Sequence, residues 1–275
     1  MNSRHYLLNV GGQLMDLSRP QVMGILNVTP DSFYGASRKE TDEQIRSRAL
    51  EIVAEGGSVI DVGACSTRPG STPVTAAEEM ERLRRALHVV HEAVPDAVLS
   101  VDTFRADVAK MCVEEFDVQI VNDVTGGDAD ADMFRTVATL GVPYVLTDHS
   151  ENTEHALLFL AERLSRLRSL GQKDIIIDPG FGFGKDVEGN YEVLRHLEMF
   201  RTFDLPILIG VSRKRMIYQL LGTSADEALN GTSVVNTICL MKGCAQLIRV
   251  HDVKAAVETV EIVEKMSGPS PSPSL

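Results

Sequence analysis

The chain has 275 residues, and its 27 Lys and Arg against 39 Asp and Glu give a formal net charge of −12 at pH 7. This acidity disfavours nucleic acid and anionic membranes as partners, but it allows an anionic small substrate where basic residues gather locally. No apolar stretch reaches about 18 residues, and the chain does not open with a basic segment followed by an apolar run. We therefore expect neither membrane spanning nor secretion, and we expect a cytoplasmic protein.

The cysteine pattern indicates neither disulfides nor a zinc site. No Cys-x-x-Cys pair and no His at zinc-finger spacing accompany the four cysteines, Cys65, Cys112, Cys239 and Cys244. We predict reduced, mostly buried thiols. Because Trp is absent and only 5% of residues are aromatic, the core that the 44% hydrophobic content allows must be aliphatic.

The first part of the chain predicts a hairpin, a buried strand and a helix. Gly11 and Gly12 lie between two short alternating runs, which is typical of a hairpin with a two-residue turn, and we expect it to cover one end of the domain. A buried strand is predicted at residues 22–28. The helical spacing of Ile45, Ala49, Ile52 and Val53 then predicts an amphipathic helix.

Further apolar runs and helical patterns alternate to the end of the chain. Strands are predicted at residues 58–63, 98–103, 118–124, 144–149, 206–212 and 247–252. Thr75 and Glu78 match a capping box, and the helix after them carries one apolar stripe, Ala76, Met80, Leu83, Leu87 and Val90. A Leu-rich helix is predicted at about 155–170 and a last helix to about Met266. The Ser and Pro tail 267–275 predicts disorder.

The most informative stretch is Asp174–Lys185, which contains three consecutive isoleucines followed by Asp-Pro-Gly and further glycines. A run of isoleucines is typical of a strand buried on both faces, and Pro179 with the glycines ends it in an open loop. We therefore expect Asp178 at the end of this strand, at the edge of a glycine-rich loop. The alternative is that Asp178 only caps its own loop. The run is not a P-loop, because Pro179 and Asp186 stand where that motif needs Gly and Ser or Thr.

Eight strand-then-helix units predict the α/β class and a (β/α)8 TIM barrel with a short N-terminal β-hairpin. We expect one domain over residues 1–266. The alternative is an open doubly wound sheet, which usually has fewer strands and a single glycine fingerprint.

Barrel enzymes carry their active sites at the C-terminal ends of the strands. The polar residues there are Asn27, Thr67, Arg68, Asp102, Asn122, Asp178, Ser212, Lys214, Arg249 and His251. Each has a structural alternative: Asn27 can form a turn, and Asp102 can cap a helix near Arg105. Lys214 can be a solvated helix start, and His251 can be a satisfied core histidine. Together, however, these residues would converge on one ring at the barrel mouth.

The first set of these residues fits a planar heterocycle. Asp102, Asn122 and Asp178 can accept or donate paired hydrogen bonds, and Lys214 can reach a carbonyl oxygen.

The second set fits a phosphate-like anion, for which Arg68, Arg249 and His251 supply positive charge and Thr67 a hydroxyl. Asn27 can contact the anion or a hard metal such as Mg²⁺, which needs few protein ligands beside substrate phosphates.

These residues resemble those of the dihydropteroate synthase family. The matching stretches are Gly24–Phe33, Ser66–Gly70, Val101–Thr103, Asn122–Val124, Asp178–Lys185, Gly210–Lys214 and Arg249–Val253. The resemblance implies a transferase of folate biosynthesis that condenses 7,8-dihydropterin-6-ylmethyl diphosphate with 4-aminobenzoate, assisted by Mg²⁺ and without a covalent nucleophile. It also implies a homodimer formed through late helices of the barrel.

The resemblance further implies roles by matching position. Its pterin site is Asp102, Asn122, Asp178, Lys214 and Arg249. Its diphosphate site is Asn27, Thr67, Arg68, Arg249 and His251, with Asn27 also at the metal. Its aminobenzoate site is Phe33, Thr67, Pro69, Phe183, Ser212 and Lys214. The residues implied in catalysis are Arg68, Asp102, Lys214, Arg249 and His251.

One stretch departs from the family pattern. After the fifth strand, a Met-His-Met-like sequence and a longer segment are usual, but here Leu146–Ser150 is followed almost at once by helix. This departure affects the pterin-pocket wall that the strand supplies, and one hypothesis is that Asp148 or His149 compensates.

Three rival functions stay open. A pterin-binding methyltransferase shares the barrel and its carboxylates, and Lys214 at a strand end also permits a Schiff-base aldolase. A homologue that binds pterin without catalysis is a binding module instead of an enzyme.

Overall fold

The computed structural model describes residues 5–29, 38–65 and 74–267 of the chain. Its strands are β1 (Leu7–Val10), β2 (Gln13–Asp16), β3 (Gln21–Asn27), β4 (Val59–Gly63), β5 (Val98–Asp102), β6 (Ile120–Asp123), β7 (Tyr144–Thr147), β8 (Ile175–Asp178), β9 (Leu208–Ile209) and β10 (Leu247–Val250). Its α-helices are α1 (Arg38–Ala54), α2 (Ala76–Ala93), α3 (Ala106–Phe116), α4 (Met133–Leu140), α5 (Thr153–Ser169), α6 (Val187–Arg195), α7 (Arg215–Leu221), α8 (Leu229–Met241) and α9 (Val253–Ser267). A 3-10 helix, Leu197–Phe203, follows α6.

Eight parallel strands form one sheet in the order β8, β7, β6, β5, β4, β3, β10, β9. A parallel bridge between Ile177 and Ile207 joins the two ends of this order, so the sheet nearly closes on itself. Helices lie between the strands along the chain. The predicted (β/α)8 barrel is therefore confirmed, and the open doubly wound sheet is excluded. The predicted tail lies outside the described residues from position 268 onward.

The seventh strand of the barrel is much shorter than predicted. Only Leu208–Ile209 pairs as β9, whereas the sequence predicted a strand over 206–212. Pro206 has no N–H to donate to a ladder, and the chain already turns where Lys214 N donates to Val211 O at 3.1 Å. This early turn brings Ser212 and Lys214 to the barrel mouth.

The N-terminal hairpin closes the opposite end of the barrel. Gly11 and Gly12 both have positive φ, 60° and 84°, which a two-residue hairpin turn of this kind requires. Leu8, Val10 and Leu17 are buried in one cluster with inward residues at the start of the barrel strands, including Met23. The predicted cover is confirmed, and it leaves the C-terminal strand ends for the site.

The interior of the barrel changes from apolar to polar along the strands. The first inward layer is apolar and comprises Met23, Val59, Ile120, Val145, Ile176, Leu208 and Leu247. Because side chains alternate along a strand, the next inward positions lie two residues further on. Those positions hold Ile25, Asp61, Asn122, Thr147, Asp178, Gly210 and Arg249. A polar layer thus rests on a packed apolar floor.

The helices follow the predicted patterns with one exception. Ile45, Ala49 and Ile52 of α1 are buried, but Val53 is 43% exposed, because it lies about 100° around the helix from Ile52. The capping box of α2 is confirmed, with Glu78 N donating to the Thr75 hydroxyl at 3.3 Å.

All four thiols are free, and three of them are buried. In the described part of the chain no helix is long and apolar enough to span a membrane.

Candidate active site

Arg249 is the centre of a charged network inside the barrel. Its Nε donates to Asp61 Oδ2 on β4 at 2.6 Å, and its Nη2 donates to Asp102 Oδ2 on β5 at 2.6 Å. Asn122 on β6 donates from Nδ2 to the same Asp61 oxygen at 3.1 Å. The guanidinium on β10 is therefore held in a fixed orientation by carboxylates of β4 and β5, and β6 joins the network through Asp61.

Asp61 was not predicted as a site residue, because it lies within a strand and not at its end. Its carboxylate is fully buried, and Oδ1 has no hydrogen-bond partner in the described structure. The sequence did contain a signal, since a charged residue inside the apolar run Val59–Gly63 must find a partner when buried.

The electrostatics of the network raise the pKa of one carboxyl group. Burial raises the pKa of Asp102 to about 7, with Asp61 adding to the rise and Arg249 opposing it. Asp102 is therefore poised to change protonation near neutral pH.

Asp178 and Lys214 form a second polar group on the other side of the barrel interior. A Cβ placed on Gly210 would lie 3.8 Å from Asp178 Oδ2 and 3.9 Å from Lys214 Nζ, so both groups face one small space. Burial raises the pKa of Asp178, and burial lowers that of Lys214 to about 8 although Asp178 opposes the change. A carboxylate and an ammonium donor are thus presented side by side.

The glycine-rich loop after β8 supplies the surroundings of Lys214. Lys214 Nζ donates to the carbonyl oxygen of Phe181, and it lies 4.3 Å from the centre of the Phe183 ring. Asp178 Oδ1 accepts from Gly180 N at 2.8 Å, so the local capping role considered for this residue is real. Its other oxygen, Oδ2, lies at the space beside Gly210 that Lys214 Nζ also reaches.

His251 and Ser212 meet at the ends of β10 and β9. Ser212 Oγ lies 3.0 Å from His251 Nδ1 and accepts from His251 N at 3.1 Å. Between Ser212 and Lys214, Arg213 adopts a positive φ of 55° and pairs with Asp252 at 2.6 Å. This pairing occupies Arg213 and leaves Lys214 to the site.

Asn27 and Asp102 flank a glycine. Gly63 pairs in register with both residues, and a Cβ there would meet Asp102 Cβ at 3.3 Å and Asn27 Oδ1 at 3.5 Å. The missing side chain leaves the Asn27 carboxamide open beside the polar layer. Among residues 5–29, 38–65 and 74–267, no cluster of three or more His, Cys, Asp or Glu could hold a metal ion. Asn27 and a substrate anion remain a donor set of the oxygen type that Mg²⁺ prefers.

Several predicted residues lie outside the described residues. They are Phe33, Thr67, Arg68 and Pro69. The structure brings together the remainder, Asn27, Asp102, Asn122, Asp178, Phe183, Ser212, Lys214, Arg249 and His251, at the C-terminal ends of the strands or in the loops that follow. Asp102 does not cap α3, because Ala106 N donates to Asp130 instead.

The segment after β7 is short, as the sequence indicated, and α5 follows at Thr153. Asp148 is buried and forms an ion pair with Lys185 at 2.8 Å. His149 pairs with Asp128 at 3.1 Å and packs against Phe159. Both side chains are thus bound to protein partners, so the contacts do not support the hypothesis that they replace a pocket wall directly.

This fold and site define a barrel enzyme that presents buried carboxylates, an amide and a lysine to a small molecule. The chain belongs to the pterin binding enzyme family, whose family model matches residues 23–251.

The relatives within this family are dihydropteroate synthases, which confirms the resemblance read from the sequence. The enzyme of Streptococcus pyogenes serotype M3 is 36% identical over 255 residues, covering 89% of this chain and 95% of that protein. The enzyme of Clostridium difficile, solved in the presence of pteroic acid, superposes with a TM-score of 0.86 at 32% identity, covering 90% of this chain and 97% of the other. That of Xanthomonas albilineans, solved with 4-aminobenzoic acid, gives a TM-score of 0.87 at 33% identity, covering 97% and 100%.

Proposed function

We propose that this protein is a transferase that condenses 7,8-dihydropterin-6-ylmethyl diphosphate with 4-aminobenzoate, giving 7,8-dihydropteroate and diphosphate. The observation that carries the proposal is the polar layer at the barrel mouth, in which Asp178 and Lys214 face one space and Arg249 is fixed between two carboxylates. The match to dihydropteroate synthases along most of the chain supports the same reaction.

The pterin ring lies in the polar layer in this proposal. Asp178 accepts hydrogen bonds from ring N–H groups, and Lys214 donates to the ring carbonyl, because a carboxylate accepts and an ammonium only donates. Asn122 and Asp102 complete the edge of the heterocycle. The apolar floor below them excludes water, which strengthens these polar contacts.

The diphosphate lies above the pterin, where Arg249, Arg68 and His251 supply basic side chains and Thr67 supplies a hydroxyl. Asn27 would hold Mg²⁺ there by its carboxamide oxygen, beside ligands from the substrate phosphates. When bound, the ion would offset negative charge on the departing diphosphate. Arg249 contributes to the same stabilisation from the protein side, since its guanidinium is already oriented by two carboxylates.

The aminobenzoate site adjoins the pterin site at the ends of β8 and β9. Phe183 and the Lys214 stem form one side of it and Ser212 the other. Phe33, Thr67 and Pro69, which lie outside the described residues, belong to the same site by the family resemblance. No residue acts as a covalent nucleophile. The barrel holds the two substrates in line, stabilises the leaving group and the cationic methylene, and keeps water away.

We also propose a homodimer formed through the late helices, and a cytoplasmic location. Large apolar side chains of α7 and α8 face outward, among them Leu220 at 61%, Leu221 at 51% and Val234 at 51% exposure. Helices α7 and α8 pack against each other, and exposed apolar side chains on neighbouring helices favour protein contact. Light scattering gives a dimer mass for the wild type and a monomer mass for Val234→Glu if this face is the interface. A dimer mass for both would place the interface elsewhere.

The test of the reaction is diphosphate release by the purified protein with the dihydropterin diphosphate, Mg²⁺ and 4-aminobenzoate. We expect release that depends on 4-aminobenzoate and falls at least about 100-fold in Lys214→Ala and in Arg249→Ala. Pterin binding without release would favour the non-catalytic binding module. A borohydride-trapped adduct at Lys214 would favour the Schiff-base aldolase, and methyl transfer to a pterin would favour the methyltransferase.

A further inference from the structure

A buried ion pair lies just outside the residues that the reaction uses. Lys185 Nζ is 2.8 Å from Asp148 Oδ2, and both side chains are 0% exposed. Asp148 Oδ1 also accepts from Ser150 N at 3.1 Å and from Ser150 Oγ at 2.6 Å. Because desolvation offsets much of the attraction in a buried pair, stability alone is a weak explanation for placing one here.

Lys185 binds the loop in which it lies as well as Asp148. Its Nζ donates to the carbonyl oxygens of Gly180 and Phe183, both at 3.3 Å. The Lys185 ammonium therefore binds two carbonyl groups of the glycine-rich loop after β8 and links this loop to the segment after β7.

The two segments also meet through their backbones. A Cβ on Gly180 would lie 1.6 Å from Asp148 O, and one on Gly184 would lie 1.9 Å from His149 O. Asp148 N in turn donates to Asp178 O at 2.9 Å. This close approach leaves the loop little freedom as long as the ion pair holds.

The loop fixed in this way makes the main contacts to Lys214 and Asp178. Phe181 O accepts from Lys214 Nζ, the Phe183 ring lies 4.3 Å from that atom, and Gly180 N donates to Asp178 at 2.8 Å. A shift of the loop would therefore move a pterin contact and an aminobenzoate contact together.

We propose that Asp148 and Lys185 are positioning residues of the transfer reaction, whose ion pair sets the glycine-rich loop and thereby the placement of Lys214, Asp178 and Phe183. The inference rests on the proposed function. Asp148 lies in the segment after β7, where this sequence departs from the family pattern. In this proposal, that segment positions the glycine-rich loop and does not itself contact the substrates.

Three variants test the proposal. Lys185→Met removes the ammonium with little change in length, Asp148→Asn removes the partner charge, and the double variant carries neither charge. The double variant leaves no unpaired charge in the interior, so it keeps the test informative if a single variant fails to fold.

We expect each folded variant to lose at least tenfold in kcat/KM, with a higher KM for the dihydropterin diphosphate and a lower kcat. In Lys185→Met, the pH above which activity falls should also rise. The reason is that the Lys185 charge is one of the groups that lower the pKa of Lys214. Affinity for pteroic acid, measured by calorimetry, should fall in parallel, which gives a readout independent of turnover.

The matched control is Leu164→Ala, which removes a buried side chain of α5, outside the glycine-rich loop, and lowers stability. Its kcat/KM per folded molecule and its pH profile should match the wild type. If all three pair variants also match the wild type in kcat/KM, pteroic acid affinity and pH profile, the pair is only structural and the proposal is wrong. A wild type without turnover would instead overturn the proposed function, and pteroic acid affinity would still test the positioning role.

Discussion

Arg249 and Asp61 form an ion pair across the barrel interior, with Nε donating to Oδ2 at 2.6 Å between strands β10 and β4. The carboxylate is fully buried, and the Arg249 side chain is 18% exposed. Asp61 and Asp102 therefore hold Nε and Nη2, which leaves Nη1 of the guanidinium to meet an anion. In the proposed function, this is where a protein of net charge −12 meets the diphosphate.

Asp61→Asn should weaken both stability and turnover. The change leaves the guanidinium with one carboxylate partner instead of two, so we expect a loss of about 3 kcal/mol in the free energy of unfolding and about 10- to 100-fold in kcat/KM. Urea denaturation and steady-state kinetics measure the two effects. Asp252→Asn is the control, since it breaks the partly exposed pair with Arg213 and should cost about 1 kcal/mol or less. Equal losses in the two variants would contradict a special role for Asp61.

The affinity for pteroic acid should fall as pH rises through about 8. Burial lowers the pKa of Lys214 to about 8, so its ammonium donor is lost above that pH. Lys214→Met has no proton to lose there and should bind weakly with a flatter pH profile. Calorimetry from pH 7 to 9 measures both profiles, and identical slopes would show that another group controls binding.

The stability of the protein should decline with rising pH through Asp102. The pKa of this carboxyl is about 7 in the folded state against a usual 3.8, so the native state holds a proton that the unfolded state has already lost. The contribution of Asp102 to the free energy of unfolding is therefore largest below pH 4 and is lost as pH rises toward 7. Between pH 5 and 8, the wild type should lose about 1–3 kcal/mol more than Asp102→Asn in urea unfolding. If the wild type lost less stability than Asp102→Asn over this pH range, the pKa of Asp102 would not be raised in the folded state.

Alanine substitutions at Gly184 and Gly222 distinguish the cost of a left-handed backbone from the cost of a steric clash. Gly184 and Gly222 have φ of 64° and 65°, but a Cβ on Gly184 would meet His149 O at 1.9 Å, whereas a Cβ on Gly222 meets nothing within 4 Å. Alanine at either position costs roughly 1 kcal/mol for the left-handed backbone. Gly184→Ala should cost roughly 1–3 kcal/mol more, because the loop must move. It should also raise KM for both substrates, and thermal unfolding with kinetics checks this. Equal stability in the two variants would mean that the glycine-rich loop moves away from His149 O at no cost in free energy.

Much of the fold was readable from the sequence because the parallel strands are buried on both faces and appear as short apolar runs. The run Ile175–Ile177 predicted β8 in this way, and Asp178 at its end predicted a site residue. The length of β9 was wrong, since an apolar run around Pro206 does not reveal where ladder pairing stops. Barrel geometry then placed Lys214 and Arg249 at the mouth, because the site of such a fold lies at the strand ends.

The residues that support the site were harder to predict. Asp61 lies within its strand, and its partner Arg249 is brought near only when β10 pairs with β3 beside β4. Asp148 and Lys185 lie in separate loops, and nothing in either local sequence specifies that the two side chains meet. Such pairings depend on which strands become neighbours in the sheet, and local patterns do not encode this.

Condensation is tested most directly by the ratio of 7,8-dihydropteroate formed to diphosphate released, measured by mass spectrometry in the same reaction with isotopically labelled 4-aminobenzoate. We expect one labelled dihydropteroate for each diphosphate, and neither product when 4-aminobenzoate is omitted. Diphosphate release without incorporation of the label would mean that the protein hydrolyses its pterin substrate, and it would contradict the assignment of this barrel as a condensing transferase.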